Sequence, residues 1–383
     1  MENYKWSQGI AESDAVRNKE RTVVKNIFIS TMRGEGFTEI GLPTLDYSEK
    51  YILNNDYYTA QNHFKSVAPN GEVLSVADDL IAGLISFSRT EMETKGRLCT
   101  AGEEYSFLAQ NNGRTKKFGM AGIIYGESGA ADEADAIAAG VRYAEAIGVK
   151  NPAVTVSNTG IFLGVLNLFA KREESLERLK KIVSGNIEND VDYAVAQSIT
   201  PMKNAEGGAG IIKELSAKLD NKTSISALLD VFETIGVLEA YNIADRVTVK
   251  PGYLGQKRYD NGIVFEIKDE KGRTIVYGGR CDCQKGGDDV KCLYVYANEE
   301  ESVSAADDNG ITENEKSRFI TVAVAEGTTA LVKAYKVRND FAKENLIPKV
   351  VYNVTRQDAY AMMGENDGGM VIYIDEEGNI TYS

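Results

Sequence analysis

Histidine is nearly absent from this chain of 383 residues, which contains only His63. A histidine-based catalytic triad, or a metal site made of several histidines, is therefore almost impossible within one chain. Cysteine is also scarce: there are four, and three of them, Cys281, Cys283 and Cys292, lie close together. A zinc site would need a distant fourth ligand, Cys99 or His63, so reduced thiols are the preferred interpretation and we expect no metal and no cofactor.

Long apolar runs and an excess of positive charge are missing as well. The most apolar stretch, residues 160–170, is too short to cross a bilayer, and no apolar run follows Met1. We therefore expect a cytoplasmic protein without membrane contact. Lysine and arginine together number 43 against 57 acidic residues, a formal charge of −14. Because nucleic-acid affinity depends on cations placed against phosphates, this balance disfavours tRNA binding.

What is present is a regular alternation of helical and strand-like segments. Apolar spacing predicts helices at residues 12–33, 78–87 and 130–146, and a mostly helical stretch at about 168–238. Strands are predicted at residues 37–43, 119–125, 246–250, 262–267 and 273–277. This order favours an α+β fold, an antiparallel sheet flanked by helices with a helical insert, over a repeated βαβ unit.

The sequence predicts three parts along the chain. Residues 1–298 form the first domain, and residues 299–317 are acidic and polar, which is typical of a linker or mobile loop. Residues 318–383 contain alternating strand and helix patterns, which predict a small C-terminal α/β domain.

Three segments in order resemble the histidyl-tRNA synthetases, which are class II aminoacyl-tRNA synthetases. Residues 258–282 read RYDNGIVFEIKDEKGRTIVYGGRCD, similar to the histidine-specific segment of that family. Residues 97–126 resemble the second class II signature, and the first helix and strand ending at Pro43 resemble the first signature. The resemblance implies a class II sheet, a C-terminal domain like an anticodon-binding domain, and a homodimer formed through the first helix and the following strand.

The residues that would perform aminoacylation are largely replaced. Aligned with the family, the ATP-binding arginine falls at Ser106, the catalytic arginine at Gly255 and the second tyrosine at Asp260. The family's Leu-Arg-Pro-acid segment falls at Leu74-Ser75-Val76-Ala77, and the glycines of the Gly-Gly-Arg segment are interpreted as turn residues. An adenylate-forming site needs fixed cations at the ATP phosphates, so the resemblance implies a vestigial pocket with no catalytic residue. Its candidate members are Ser106, Arg114, Met120, Ile124, Tyr259, Asp260, Glu266 and Arg280.

This pattern is similar to synthetase relatives that serve as regulatory subunits of ATP phosphoribosyltransferase in histidine biosynthesis. The resemblance implies a catalytically silent subunit of a hetero-oligomer. It would activate a short-form catalytic subunit and, where the family's feedback is kept, pass on inhibition by histidine. Two other functions stay open: a synthetase-like binding protein with another ligand or partner, and an active enzyme of the histidyl-tRNA synthetase type.

Overall fold

The computed structural model describes residues 15–47, 64–89, 94–105, 116–126, 129–169, 175–285, 288–312, 319–344, 346–365 and 370–382. The chain divides into two compact units, Met1–Ala305 and Ala306–Ser383. Among the described residues, no helix has both the length and the apolar character of a membrane span.

In the described part of the first unit, the first elements are helix α1 (Ala15–Gly34) and the short strands β1 (Thr38–Glu39), β2 (Leu45–Tyr47), β3 (Lys65–Val67) and β4 (Val73–Val76). Helix α1 buries Val24, Phe28 and Met32, which are spaced four residues apart and so lie on one face. The strand predicted over residues 37–43 is limited to β1, and residues 45–76 supply a separate three-stranded sheet in the order β2-β4-β3.

The elements that follow build the central layers of the unit. They are α2 (Leu80–Ser88), β5 (Gly96–Tyr105), β6 (Lys116–Tyr125), α3 (Ala130–Ala146) and β7 (Ala153–Asn158). The helical insert comes next, as α4 (Gly160–Phe169), α5 (Leu176–Val183), α6 (Asp190–Lys203), α7 (Ile211–Ser216) and α8 (Lys222–Leu238). Two 3₁₀ turns, Glu239–Tyr241 and Ala244–Arg246, lead back to the sheet.

The unit continues with β8 (Val247–Val249), β9 (Ile263–Lys268), β10 (Thr274–Arg280), β11 (Cys283–Lys285), β12 (Asp288–Val290) and β13 (Cys292–Asn298). It ends within helix α9 (Glu299–Asp308). Within the described residues, eight strands form one sheet in the order β1-β5-β6-β13-β10-β9-β7-β8, with β11 and β12 as a separate hairpin. The interior pairs are antiparallel, and only the outermost pairs, β1 with β5 and β7 with β8, are parallel.

The eight-stranded sheet is covered on both faces. Leu80, Ile81 and Leu84 of α2 pack in one buried cluster with Ala121 and Ile123 of β6. Helix α3 lies on the opposite face, because Gly140 approaches Ile267 and Val276 so closely that a Cβ atom there would be 2.7 Å from Ile267 Cδ1. Successive strand residues alternate between these faces, so the face that each side chain occupies follows from its position in the strand.

The structure differs from the predicted linker at its first ten residues, which form helix α9. The three glutamates at its start, Glu299, Glu300 and Glu301, stand in the first helical turn, where negative charge is favourable. Glu299 is also paired with Arg21 of α1, at 3.2 Å. The apolar positions Val303 and Ala305 are buried, which the acidic composition of the segment concealed.

The second unit contains β14 (Phe319–Val324), α10 (Thr328–Lys343), β15 (Ile347–Val351), α11 (Arg356–Glu365), β16 (Met370–Ile374) and β17 (Ile380–Tyr382). Its sheet has the order β15-β14-β16-β17, in which β14 runs parallel to both neighbours and β17 is antiparallel to β16. This is the small α/β arrangement that the sequence predicts.

Candidate functional site

The N-terminus of α2 gathers two buried carboxylates. Asp79 caps the helix and accepts hydrogen bonds from the backbone N–H groups of Ile81 and Ala82, at 2.9 and 3.3 Å. Glu104, at the end of β5, accepts the N–H of Leu80 at 2.7 Å and has no exposed side-chain surface. A helix N-terminus is a favourable position for negative charge.

Two lysines neutralise these acids. Lys117, at the start of β6, lies opposite Glu104 in the β5–β6 register, and its Nζ is 2.8 Å from Glu104 Oε2. Lys257, in the loop between β8 and β9, places its Nζ 2.9 Å from Asp79 Oδ2. We refer to Asp79, Glu104, Lys117 and Lys257 as the lysine–carboxylate cluster. Its formal charge is zero.

Tyrosine rings surround the cluster. Tyr296 of β13 donates its hydroxyl hydrogen to Glu104 Oε2 at 2.5 Å, and its ring centroid is 5.0 Å from each of the two lysine Nζ atoms. Tyr277 of β10 stacks on Tyr296, with ring centroids 5.0 Å apart. A cation over an aromatic face is attracted by the ring quadrupole, most strongly where water is excluded.

The loop that carries Lys257 is held by its own buried polar groups. The hydroxyl of Tyr259 donates to Asp79 Oδ2 at 2.9 Å. Asp260 accepts the backbone N–H of Lys257 at 2.9 Å and the hydroxyl of Tyr294 at 2.7 Å. Lys180 of α5 donates to the backbone carbonyl of Lys257, also at 2.9 Å. Both backbone hydrogen-bonding groups of Lys257 are therefore fixed.

The electrostatics of the site divide its acids into two kinds. Burial acts to raise the pKa of Asp79, but Lys257 and Lys117 outweigh it and hold that pKa below its ordinary value. Burial raises the pKa of Asp78 to about 8, with Asp79 and Glu104 adding to the effect. Burial likewise raises the pKa of Asp260 to about 7, against the opposing influence of Lys180.

The structure brings two of the candidate pocket residues, Tyr259 and Asp260, to this cluster. Met120 and Ile124 lie elsewhere, although both are buried on β6. Their neighbours Ala121 and Ile123 belong to the core cluster that contains Tyr294 and Tyr296. Strand alternation therefore turns Met120 and Ile124 to the α3 face of the sheet.

Glu266 and Arg280 are placed apart from the cluster. Glu266 pairs with Tyr277 across β9 and β10, and its Oε1 lies 2.6 Å from Lys268 Nζ. Arg280 points to the α3 side, where it forms an ion pair with Glu133 of α3. Ser106 and Arg114 lie outside the described residues.

Sequence reasoning did not assign Asp79, Glu104 or Lys257 to the site. The family's acid was expected at Ala77, but a carboxylate is present two residues later, at Asp79. Asp79 directly precedes the apolar run of residues 80–85, and an acid in that place is typical of a helix N-cap. This pattern could have indicated Asp79. Lys257 gives no such signal, because only the folded loop brings it to Asp79.

The cysteines do not assemble into a metal site in the part of the chain that the structure describes. No group of three or more histidine, cysteine or acidic side chains there has the geometry to hold a metal ion. Cys281 and Cys292 are buried and lie side by side, joined by a backbone hydrogen bond of 2.8 Å from Cys281 N to Cys292 O. His63 falls outside the described residues.

A cleft of about 340 Å³ lies beside the start of α2. It is lined by residues 39–44, by Ala77 and Leu80, and by residues 100–103 of β5. The cluster itself offers neither an uncompensated cation for a phosphate nor an uncompensated acid for an amine. An adenylate-forming site requires both, since it must stabilise phosphate charge and recognise an amino acid.

A mostly antiparallel sheet with helices on both faces, followed by a small α/β unit, is the fold of class II aminoacyl-tRNA synthetases. A structure of a histidyl-tRNA synthetase from a Nostoc species matches with a TM-score of 0.78 at 12% identity, covering 99% of this chain and 96% of that one. An ATP phosphoribosyltransferase regulatory subunit/histidyl-tRNA synthetase from Bacillus halodurans matches with a TM-score of 0.77 at 18% identity, covering 98% and 99%. The fold predicted from the sequence is confirmed.

The family model for histidyl-tRNA synthetase matches residues 9–285, and the chain belongs to this family. Among curated relatives, an ATP phosphoribosyltransferase regulatory subunit of Ruminiclostridium cellulolyticum is 22% identical over 278 residues, which are 69% of this chain and 66% of that protein. A protein of the same name from Clostridium acetobutylicum is 22% identical over 343 residues, 85% of this chain and 83% of that one.

Proposed function

We propose that this chain is a non-catalytic regulatory subunit of ATP phosphoribosyltransferase, acting in histidine biosynthesis. The observation that carries the proposal is the closed lysine–carboxylate cluster, in a chain whose similar relatives include several proteins of that name. Its partner is a short-form catalytic subunit, which this chain activates in a hetero-oligomer.

The charge balance of the pocket supports catalytic silence. Each lysine of the cluster lies within 3 Å of a carboxylate that is itself buried. Releasing a lysine to bind a phosphate would leave a buried acid without its counterion, which typically costs about 3–5 kcal/mol. At the position of the catalytic arginine stands Gly255, where any side chain would clash with Asp260, since a Cβ would be 2.1 Å from Asp260 Oδ2.

Activation of the partner would work by a shift of population. The regulatory subunit must bind the active state of the catalytic subunit more tightly than the inactive state. Inhibition by histidine would then require a histidine site coupled to the same equilibrium. Because Lys257 fills the space beside Asp79, the lysine–carboxylate cluster is unsuited to bind histidine.

A homodimer is part of the proposal. The strand that follows the first helix, β1, is at the edge of the large sheet and is exposed at both its residues. The adjoining three-stranded sheet exposes Leu45 and Tyr47 on one face and Val67 and Val73 on the other. Exposed apolar side chains beside the outermost strand of the described sheet favour association with a second copy.

Co-purification tests the partnership. The chain is expressed together with a short-form ATP phosphoribosyltransferase catalytic subunit from the same organism, with an affinity tag on the catalytic subunit only. We expect a stoichiometric complex that survives size-exclusion chromatography. Separate elution of two folded proteins would contradict the proposal and favour a synthetase-like binding protein with a different partner.

Catalytic silence has its own test. Histidine-dependent exchange between ATP and pyrophosphate is measured with the purified chain at high protein concentration. We expect no exchange above background, and a histidyl-tRNA synthetase measured in parallel is the positive control. Exchange that depends on histidine would show an active synthetase.

A further inference from the structure

The ammonium group of Lys257 occupies an enclosed site made of one acid and two aromatic rings. Its Nζ lies 2.9 Å from Asp79 Oδ2, 5.0 Å from the Tyr296 ring centroid and 5.8 Å from the Tyr259 ring centroid. The side chains of Lys257 and Asp79 each keep only 13% of their surface exposed. A carboxylate combined with aromatic faces is the arrangement by which proteins bind the ammonium group of a ligand.

The acid of this site is fixed before any cation arrives. Asp79 receives two backbone N–H groups of α2 on its Oδ1 and the Tyr259 hydroxyl on its Oδ2. These hydrogen bonds orient the carboxylate, so a bound cation finds it already in place. Preorganisation of this kind lowers the cost of binding.

Lys257 is fixed by hydrogen bonds to its backbone as well as by the ion pair of its ammonium group. Its N–H donates to Asp260, and its carbonyl accepts from Lys180. The loop therefore delivers the side chain to one position, and the four side-chain atoms beyond Cβ fill the space that a free amine would need. Lys117 forms its ion pair with Glu104 instead, so Lys257 is the lysine in contact with Asp79.

We propose that Lys257 is the built-in occupant of a primary-ammonium site formed by Asp79, Tyr259 and Tyr296, and that it excludes free amines and amino acids from that site. The inference shares the Lys257–Asp79 pair with the argument for catalytic silence, but it does not depend on the proposed partner. Its test is read out on this chain alone, so its failure is distinguishable from a failure to co-purify with the catalytic subunit.

The test removes the occupant and supplies it again as a free molecule. The Lys257→Ala substitution deletes Cγ, Cδ, Cε and Nζ, and n-propylammonium contains the same four heavy atoms. We expect n-propylammonium to raise the melting temperature of the full-length variant by at least about 3 °C at saturating concentration. The wild-type protein should show no comparable rise.

Three controls separate the site from general effects of the additive. The neutral isostere n-propanol should not stabilise Lys257→Ala. Likewise, n-propylammonium should not stabilise Lys116→Ala, which removes a half-buried lysine paired with Glu103. The double variant Lys257→Ala, Asp79→Asn should lose the response. An equal response to propanol, or no response in a folded Lys257→Ala protein, would overturn the proposal.

A measurement on the wild-type protein covers the case in which Lys257→Ala does not fold. Lysines are acetylated with a trace of acetic anhydride and the sites are quantified by mass spectrometry. We expect Lys257 to react at least about tenfold more slowly than Lys181, whose side chain is 59% exposed. Equal rates would show that Lys257 spends its time outside the site, and would overturn the proposal.

Discussion

The hydroxyl of Tyr294 donates a 2.7 Å hydrogen bond to Asp260, a carboxyl that is 2% exposed and that also caps the backbone N–H of Lys257. Burial raises the pKa of Asp260 to about 7. Over the range between its ordinary value and about 7, the folded protein holds a proton that the unfolded chain releases. The contribution of Asp260 to stability therefore falls as pH rises through this range and is level above it.

Replacing Asp260 by asparagine should remove that dependence. We expect the free energy of unfolding of the wild type to fall by roughly 2–4 kcal/mol more than that of Asp260→Asn between pH 4.5 and 7.5. Urea denaturation across this range measures the difference. Asp245→Asn, at an exposed position, is the control and should follow the wild type. Parallel curves for wild type and Asp260→Asn would contradict the expectation.

Arg280 should be important for stability because it neutralises a buried acid. Its guanidinium pairs with Glu133, whose side chain is 3% exposed and which also accepts the Thr234 hydroxyl at 2.6 Å. Arg280→Ala leaves this charge without a cation, so we expect a loss of about 3 kcal/mol in denaturant unfolding. The control Arg246→Ala breaks an exposed pair with Glu145 and should cost less than about 1 kcal/mol. Similar losses for both variants would be evidence against the argument.

Gly278 is required by the close approach of two neighbouring strands. A Cβ atom there would lie 2.2 Å from the Tyr294 carbonyl oxygen and 2.4 Å from Phe265 Cζ. Gly278→Ala should therefore destabilise the protein by about 3 kcal/mol or more. Gly236→Ala, at an exposed position of α8 with open space around it, should instead stabilise by about 0.5–1 kcal/mol. Thermal denaturation distinguishes the two, and a tolerated Gly278→Ala would refute the steric argument.

The dimer proposal predicts sensitivity to charge on the small sheet. Static light scattering should give twice the 41.9 kDa chain mass for the wild type. Val67→Asp, which places a charge at a side chain that is 70% exposed, should raise the dimer dissociation constant at least about tenfold. Val332→Asp, exposed on α10 in the other unit, is the control. A wild-type monomer, or a dimer indifferent to Val67→Asp, would contradict the proposal.

Much of the fold could be predicted because local patterns determine it. Helix α3 was predicted at residues 130–146 and is observed as Ala130–Ala146, since its alanine-rich sequence and the acids of its first turn all favour a helix. The α/β order of the second unit was also visible. The sequence predicts a turn at Gly278, but this residue lies inside β10. The glycine is needed there because Phe265 packs against it, and the sequence pattern does not show that contact.

The candidate site could be predicted only in part. Tyr259 and Asp260 were found through the family resemblance and lie together at the cluster. The Lys257–Asp79 pair joins positions 178 residues apart, and no local pattern connects them. Met120 and Ile124 show the same difficulty: the apolar part of β6, residues 118–125, does not indicate which of its two faces meets the pocket.

The most direct test of the central claim is a titration of this chain into a purified short-form ATP phosphoribosyltransferase catalytic subunit from the same organism. Turnover of ATP and phosphoribosyl pyrophosphate is followed at a fixed concentration of the catalytic subunit. A regulatory subunit should raise turnover in a saturable way, with a break at a defined molar ratio of the two chains. Turnover that stays unchanged at every ratio, with no complex formed, would contradict the claim.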